Sequence, residues 1–287
     1  MKQYFIKSKY GNINIIEGKD IDVINGILLH IHGLGAHFQS DYAELDDFET
    51  RDNFFIKNNL KSFAFEFTGH GKSEGKKSFI SNIDDLLIDL DNVIKHIKKN
   101  YNHKIFICAE SMGAAIVIKY LSILNINVDG IILLSPLCGL DKDILPPKIV
   151  TNFILFMSHY FPNIKLCFKK IEVQYENLKY MEAKKLCKYL YRDNYPLTTL
   201  REIYNISSWI MNNEIHIDIP LLLIHGLDDK ITSPIASYNF FNKLNNDKKE
   251  ILLIPNVDHC TLIPSKVDTL VPHYIYIKIL NWINKHL

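Results

Sequence analysis

The sequence predicts an α/β fold: a mostly parallel central sheet flanked by helices and interrupted by a helical insertion. Three observations predict it. Short, continuous apolar runs recur along the chain, as expected of strands buried on both faces, and most end at a turn rich in Gly, Ser or His. Helical periods separate these runs, the order that gives parallel strands joined by crossover helices. From about Leu137 to Asp218 the alternation stops, and helices follow with no convincing buried strand.

The elements follow in order. Residues 3–8 and 12–17 read as a hairpin turning at Tyr10-Gly11-Asn12. Gly26 to Ile31 is a strand ending at His32-Gly33-Leu34-Gly35, and Ser62 to Glu66 is another, ending at Thr68-Gly69-His70-Gly71. Ser81 to Lys99 is an amphipathic helix with Ile83, Leu86, Leu87, Leu90, Ile94 and Ile97 on one face. Ser81 is its expected N-cap with Asp84 three residues on, and lysines at the far end suit the helix dipole. A strand at 104–108 leads into Ala109-Glu110-Ser111-Met112-Gly113 and a helix through Ile118, and Gly130 to Leu134 is a further buried strand. After the insertion come Pro220 to Ile224, a helix near 234–244, a strand from Glu250 to Ile254 and a closing helix over about 268–286. The expected domains are thus a core of 1–137 with 219–287, and a helical cap of 138–218.

Composition bounds the function. With 287 residues and 47% hydrophobic content, the chain can bury a sizeable core. A formal net charge of +1 without long charged blocks argues against nucleic acid as a partner. Cys108, Cys138, Cys167, Cys187 and Cys260 are scattered and form no CxxC pair, so free thiols are expected, with no metal site and no cofactor. No apolar run approaches the ~18 residues of a membrane span, and the polar, lysine-bearing start lacks a signal-peptide core. A cytoplasmic protein is expected.

Three loops carry the chemistry. Ser111 sits on a strand-to-helix turn, which lifts a hydroxyl out of the sheet above a helix N-terminus, and small residues must flank it at Ala109 and Gly113 because the chain doubles back. Asp229 in His225-Gly226-Leu227-Asp228-Asp229 and His259 in Pro255-Asn256-Val257-Asp258-His259 follow later strands. In a parallel sheet all three emerge at the carboxyl edge, where ligands bind. The order Ser…Asp…His is that of an α/β-hydrolase: His259 would take the serine proton and Asp229 would orient the imidazole. Asp229 is preferred to Asp228 as the third residue after the glycine. Backbone N–H groups of Met112 and Leu34 would form the oxyanion hole, the glycines of His32-Gly33-Leu34-Gly35 allowing tight backbone turns, and Gly33 is expected to contact substrate. No phosphate-loop pattern is present.

The chain resembles the monoacylglycerol lipase and lysophospholipase group of serine α/β-hydrolases. The resemblance rests on His32-Gly33-Leu34-Gly35-Ala36-His37, Gly69-His70-Gly71-Lys72-Ser73-Glu74-Gly75, Glu110-Ser111-Met112-Gly113, Ser135-Pro136-Leu137, the Asp229 loop and His259. It implies a Ser111–Asp229–His259 triad, oxyanion donors at Leu34 and Met112, and a cap over an acyl-chain pocket. Ala109, Ala36, Glu66 and Glu110 depart from the commonest residues of the group and bear on substrate, not mechanism. The implied activity is hydrolysis of a lipid mono-ester. A short-chain carboxylesterase or thioesterase and a non-catalytic ligand-binding relative are the alternatives. Ile149 to Phe161 is apolar on more than one face. Phe153 and Phe156 are therefore expected to contact substrate, and the cap to touch a membrane surface peripherally.

Overall fold

The computed structural model describes residues 1–38, 48–124, 128–165, 187–259 and 271–287. Eight strands form one sheet: β1 (Lys2–Ser8), β2 (Gly11–Glu17), β3 (Gly26–Ile31), β4 (Leu60–Phe65), β5 (Ile105–Glu110), β6 (Gly130–Leu134), β7 (Leu221–Gly226) and β8 (Lys249–Ile254). Their order is β1-β2-β4-β3-β5-β6-β7-β8. The β1–β2 and β2–β4 pairs are antiparallel and every other pair is parallel. Strands β3 to β7 are buried along their length, except at Glu110 where β5 ends, which is why they read as apolar runs without alternation.

Seven helices are described: α1 (Phe48–Ile56), α2 (Asp84–Asn100), α3 (Met112–Ile123), α4 (Lys148–Tyr160), α5 (Leu197–Asn212), α6 (Pro234–Lys243) and α7 (Val271–His286). On one face of the sheet, α2, α3 and α5 close a large core around Leu90, Val93, Ile107, Ile116, Leu133 and Leu223. On the other, Phe55 of α1 and Ile275, Ile279, Trp282 and Ile283 of α7 pack on Leu28, Phe106 and Ile132. The expected α/β architecture is therefore present. Its strand ends shift by a residue or two, as at β4, which starts at Leu60.

Two local expectations change. Helix α1 carries no helical signal in the sequence, since its Thr, Asp, Asn and Phe residues are weak helix formers; its packing against β4 and α7 holds it. Helix α2 begins at Asp84, and Ser81 does not cap it. The Asp84 N–H donates to Asn82 Oδ1 at 3.0 Å, and the Ile83 N–H donates to Glu202 Oε2 of α5 at 3.0 Å. A carboxylate from a distant helix thus replaces the local hydroxyl.

Candidate active site

Ser111 occupies the turn between β5 and α3 with φ 51° and ψ −116°, a left-handed conformation costly for a residue with a Cβ. The turn is held by hydrogen bonds: the Ser111 N–H donates to Leu134 O at 3.0 Å, and the Leu137 N–H donates to Ser111 O at 3.2 Å. Close approach explains its small neighbours. A Cβ at Gly113 would lie 2.5 Å from the His32 carbonyl oxygen, and one at Gly33 would lie 3.1 Å from Ser111 Cβ and 3.6 Å from its Oγ. The loop after β3 therefore lies directly against the serine. As the first residue of α3, Met112 carries a backbone N–H with no partner inside the helix. Leu34 follows Gly33 in the loop, its side chain partly buried against the main core.

That loop is fixed by buried polar groups. His32 Nδ1–H donates to Gly33 O at 2.7 Å, and its Nε2 accepts from the Phe67 N–H at 3.2 Å. Burial and the neighbouring His70 push the His32 pKa well below its ordinary value. Glu66 accepts from the Lys72 N–H at 2.7 Å and from Asn14 Nδ2 at 3.0 Å, and from the Phe38 backbone. Burial raises its carboxyl pKa against those bonds. Glu110, beside the serine, pairs with Arg51 of α1.

Asp229 and His259 meet. His259 Nδ1 donates to Asp229 Oδ2 at 2.7 Å, and the carboxylate is fully buried. The same oxygen accepts from Thr232 Oγ1 at 2.7 Å and from His225 Nε2 at 2.9 Å, while Oδ1 accepts from the Ile231 and Thr232 N–H groups at 2.8 and 3.0 Å. Burial alone would raise the carboxyl, but hydrogen bonds from His225 and His259 hold it well below the usual carboxylate range. Asp228 is exposed. His225 belongs to the His225-Gly226-Leu227-Asp228-Asp229 motif, but nothing in that motif predicts its contact with Asp229; its Nδ1 faces Ser237 Oγ at 2.9 Å. Thr232 Oγ1 also lies 3.2 Å from Ser135 O, on the loop that holds Ser111. The loops after β5, β6 and β7 are thus one hydrogen-bonded unit.

Between β6 and β7 the described residues carry α4 and α5 and no strand. Helix α4 buries Thr151, Ile154 and Ser158 and exposes Phe153 and Phe156 at 62% and 57%. Tyr180, Phe168, Cys167 and Cys260 lie outside the described residues. Cys108, Cys138 and Cys187 are free thiols. Among the described residues no cluster of His, Cys, Asp and Glu suits a metal, and no helix is long and apolar enough to cross a membrane.

The fold and the turn at Ser111 are those of a serine hydrolase of the α/β-hydrolase class. Residues 23–265 match the family described as serine aminopeptidase S33, and the chain belongs to it. Among its relatives, the monoglyceride lipase of Rattus norvegicus is 30% identical over 142 residues, 47% of this chain and 42% of that protein. The caffeoylshikimate esterase of Arabidopsis thaliana is 23% identical over 69% of this chain and 61% of its own length. The chain thus spans less than two thirds of either relative. In structure, a soluble variant of monoglyceride lipase from Saccharomyces cerevisiae, in complex with a substrate analog, superposes with a TM-score of 0.82 at 17% identity, covering 99% of this chain and 95% of that one. The monoacylglycerol lipase of Paleococcus ferrophilus gives 0.78 at 19% identity over the whole of both chains.

Proposed function

We propose that this chain hydrolyses a lipid mono-ester, a monoacylglycerol or lysophospholipid, by acyl transfer through Ser111. The observation that carries the reading is the left-handed Ser111 turn with Gly33 packed against it, together with the 2.7 Å Asp229–His259 bond. With Nδ1 engaged by Asp229, His259 Nε2 is the nitrogen left for the serine. Ser111 Oγ attacks the ester carbonyl carbon and its proton passes to Nε2. The carbonyl π pair moves to the oxygen, where the Leu34 and Met112 N–H groups receive it. As the carbonyl reforms, the ester C–O bond breaks and the leaving alkoxide takes the proton from His259. Water then attacks the acyl-serine, His259 again holds the proton, and the fatty acid departs as Ser111 Oγ is reprotonated.

The lipid class is favoured by the relatives' names and by the apolar face that α4 presents. Residues 138–218 act in this reading as a cap, with Phe153 and Phe156 toward the lipid, and the protein works in the cytoplasm at membrane surfaces. A fluorophosphonate probe tests the chemistry: it should label the wild type stoichiometrically and leave Ser111→Ala unlabelled. Equal labelling of both would end the proposal. A panel of mono-, di- and triacylglycerols, lysophospholipids and short nitrophenyl esters tests the substrate class.

A further inference from the structure

One residue holds both oxygens of the Asp229 carboxylate. The Thr232 N–H donates to Oδ1 at 3.0 Å, and the Thr232 hydroxyl donates to Oδ2 at 2.7 Å. A carboxylate tied at each oxygen to one residue cannot turn about its Cβ–Cγ bond without losing one of those bonds. The other partners act on one side each: His225 and His259 on Oδ2, the Ile231 N–H on Oδ1. Thr232 and Asp229 are both buried, so water does not stand in for a lost donor.

Thr232 is itself held from outside its loop. It forms an antiparallel bridge with Leu140. The flanking residues complete the bridge, since the Asp141 N–H donates to Ile231 O at 3.0 Å and the Ser233 N–H donates to Gly139 O at 2.8 Å. Residues 139–141 stand at the root of the insertion. A turn closed by the Ile144 N–H on Asp141 O at 3.1 Å follows them, and α4 starts at Lys148. The root is pressed close to α6, where a Cβ at Gly139 would lie 2.5 Å from Ala236 Cβ. A hydroxyl has one proton to give. Ser135 O, 3.2 Å from Thr232 Oγ1, is the acceptor that takes this proton once the alignment with Oδ2 is lost.

We propose that Thr232 is a positioning residue for Asp229, and that the 139–141 bridge at the root of the insertion sets its alignment. The functional consequence rests on the esterase reading: a shift of that root turns the carboxylate and misaligns the His259 ring. The insertion thereby reaches the catalytic acid through its root.

Spectroscopy separates geometry from turnover. The downfield proton resonance of the His259 Nδ1–H bond to Asp229 is recorded in Ser111→Ala protein and assigned by its loss on further substitution of His259→Ala. Thr232→Val and Thr232→Ala keep the N–H and lose the hydroxyl, and each should shift that resonance. Thr232→Ser should leave it in place. The two hydroxyl-free variants differ in bulk, so a folding defect in one leaves the other to be read. In active protein both should lower kcat about tenfold with KM changed by less than about twofold, and Thr232→Ser should restore most of the loss. Gly139→Ala forces the root away from α6. It should move the resonance, lower kcat several-fold and add little to Thr232→Val, because both act on one clamp. Resonance shifts in this order, with no ester cleaved by any form, keep the clamp and end the esterase reading. Thr232→Ser as impaired as Thr232→Val, or hydroxyl-free variants with an unmoved resonance or full kcat, overturn the role of Thr232. A silent Gly139→Ala, or losses that multiply in the double variant, overturn the link to the root.

Discussion

Arg51 Nη1 and Glu110 Oε1 form an ion pair of 2.5 Å immediately beside Ser111, and the two partners are unequally buried: Arg51 is 5% exposed and Glu110 32%. The guanidinium also lies 5.5 Å from the centre of the Phe38 ring, five residues along the chain from Gly33. Helix α1 is thereby tied to both walls of the serine turn. Removing one member should be asymmetric. Glu110→Ala strips the buried guanidinium of this carboxylate and should cost about 2–3 kcal/mol, less than the ~3–5 kcal/mol of a fully buried broken pair because Glu110 is partly hydrated. Arg51→Met leaves a carboxylate that water can reach and should cost less. Urea unfolding of the two variants measures the difference; equal losses would remove the argument from burial.

The acid assignment is tested by a pair of neighbours. Asp229 is buried and carries five hydrogen bonds, including the one from His259, whereas Asp228 is exposed. Asp229→Asn should lower kcat by about 10³–10⁴-fold through the wrong imidazole tautomer. Asp228→Asn should change it less than twofold. His225→Phe removes one of three side-chain donors to Asp229 and the acceptor of Ser237 Oγ, which keeps the Pro136 carbonyl at 3.4 Å. It should lower kcat by about tenfold with KM little changed, because the carboxylate keeps its bond to His259 but loses part of its fixed orientation. A KM effect with intact kcat would make His225 a packing residue only.

Much of this arrangement was legible in the sequence, for a physical reason. Ser111, Gly113, Gly33 and the Asp229 loop are constrained by their own backbone turns, so the constraint is written locally in residue type. The buried strands were legible because they are apolar on both faces. What escaped is non-local. Glu202 caps α2 from a helix across the fold, so Ser81 looked sufficient. Arg51 sits in a helix of weak formers that only tertiary contact holds, and nothing near it in sequence points to Glu110. His225 was visible as part of a motif, but its bond to Asp229 depends on a strand end and a loop closing on each other. The bond from the Tyr191 N–H to Gly35 O depends on how the insertion folds back, which no local pattern encodes.

Stability should respond to acid through buried histidines. Burial holds His30 and His32 well below the ordinary value of 6.5 and His70 at about 4. The unfolded chain binds a proton at each near pH 6.5 while the fold does not, so each contribution is undiminished above that pH and declines as pH falls through it. For His70 the decline ends near pH 4. The slope is about 1.4 kcal/mol per pH unit for each histidine. Glu66, Asp52 and Asp89 act in the opposite sense, because burial raises their pKa and the fold takes up protons before the unfolded chain does. Asp229 is depressed, so its share persists above the carboxylate range and is lost only at lower pH. Comparing wild type with His70→Gln cancels the shared groups. The variant should lose about one proton's worth of slope between pH 6.5 and 4.5 in urea titrations. Parallel stability curves would show that His70 titrates alike in both states.

The exposed face of α4 gives the test of lipid selectivity. Phe153 and Phe156 stand 62% and 57% exposed, and Ile149 is 80% exposed, while the helix is anchored by Ile154 and Ser158 beneath. A charge at Phe153 therefore leaves the core intact, and Phe153→Glu should shift unfolding free energy by less than about 0.5 kcal/mol. If this face guides an acyl chain, each methylene fully taken from water contributes about 0.8 kcal/mol, so kcat/KM should climb several-fold, up to about fifteenfold where burial is complete, for every two carbons until the apolar surface ends. Phe153→Glu should flatten that climb, cutting turnover of a sixteen-carbon ester at least tenfold and a two-carbon ester less than twofold. Specificity constants across the series in both proteins decide it. A wild type that prefers the two-carbon ester, with Phe153→Glu lowering all lengths equally, would make α4 a packing element and favour a short-chain esterase.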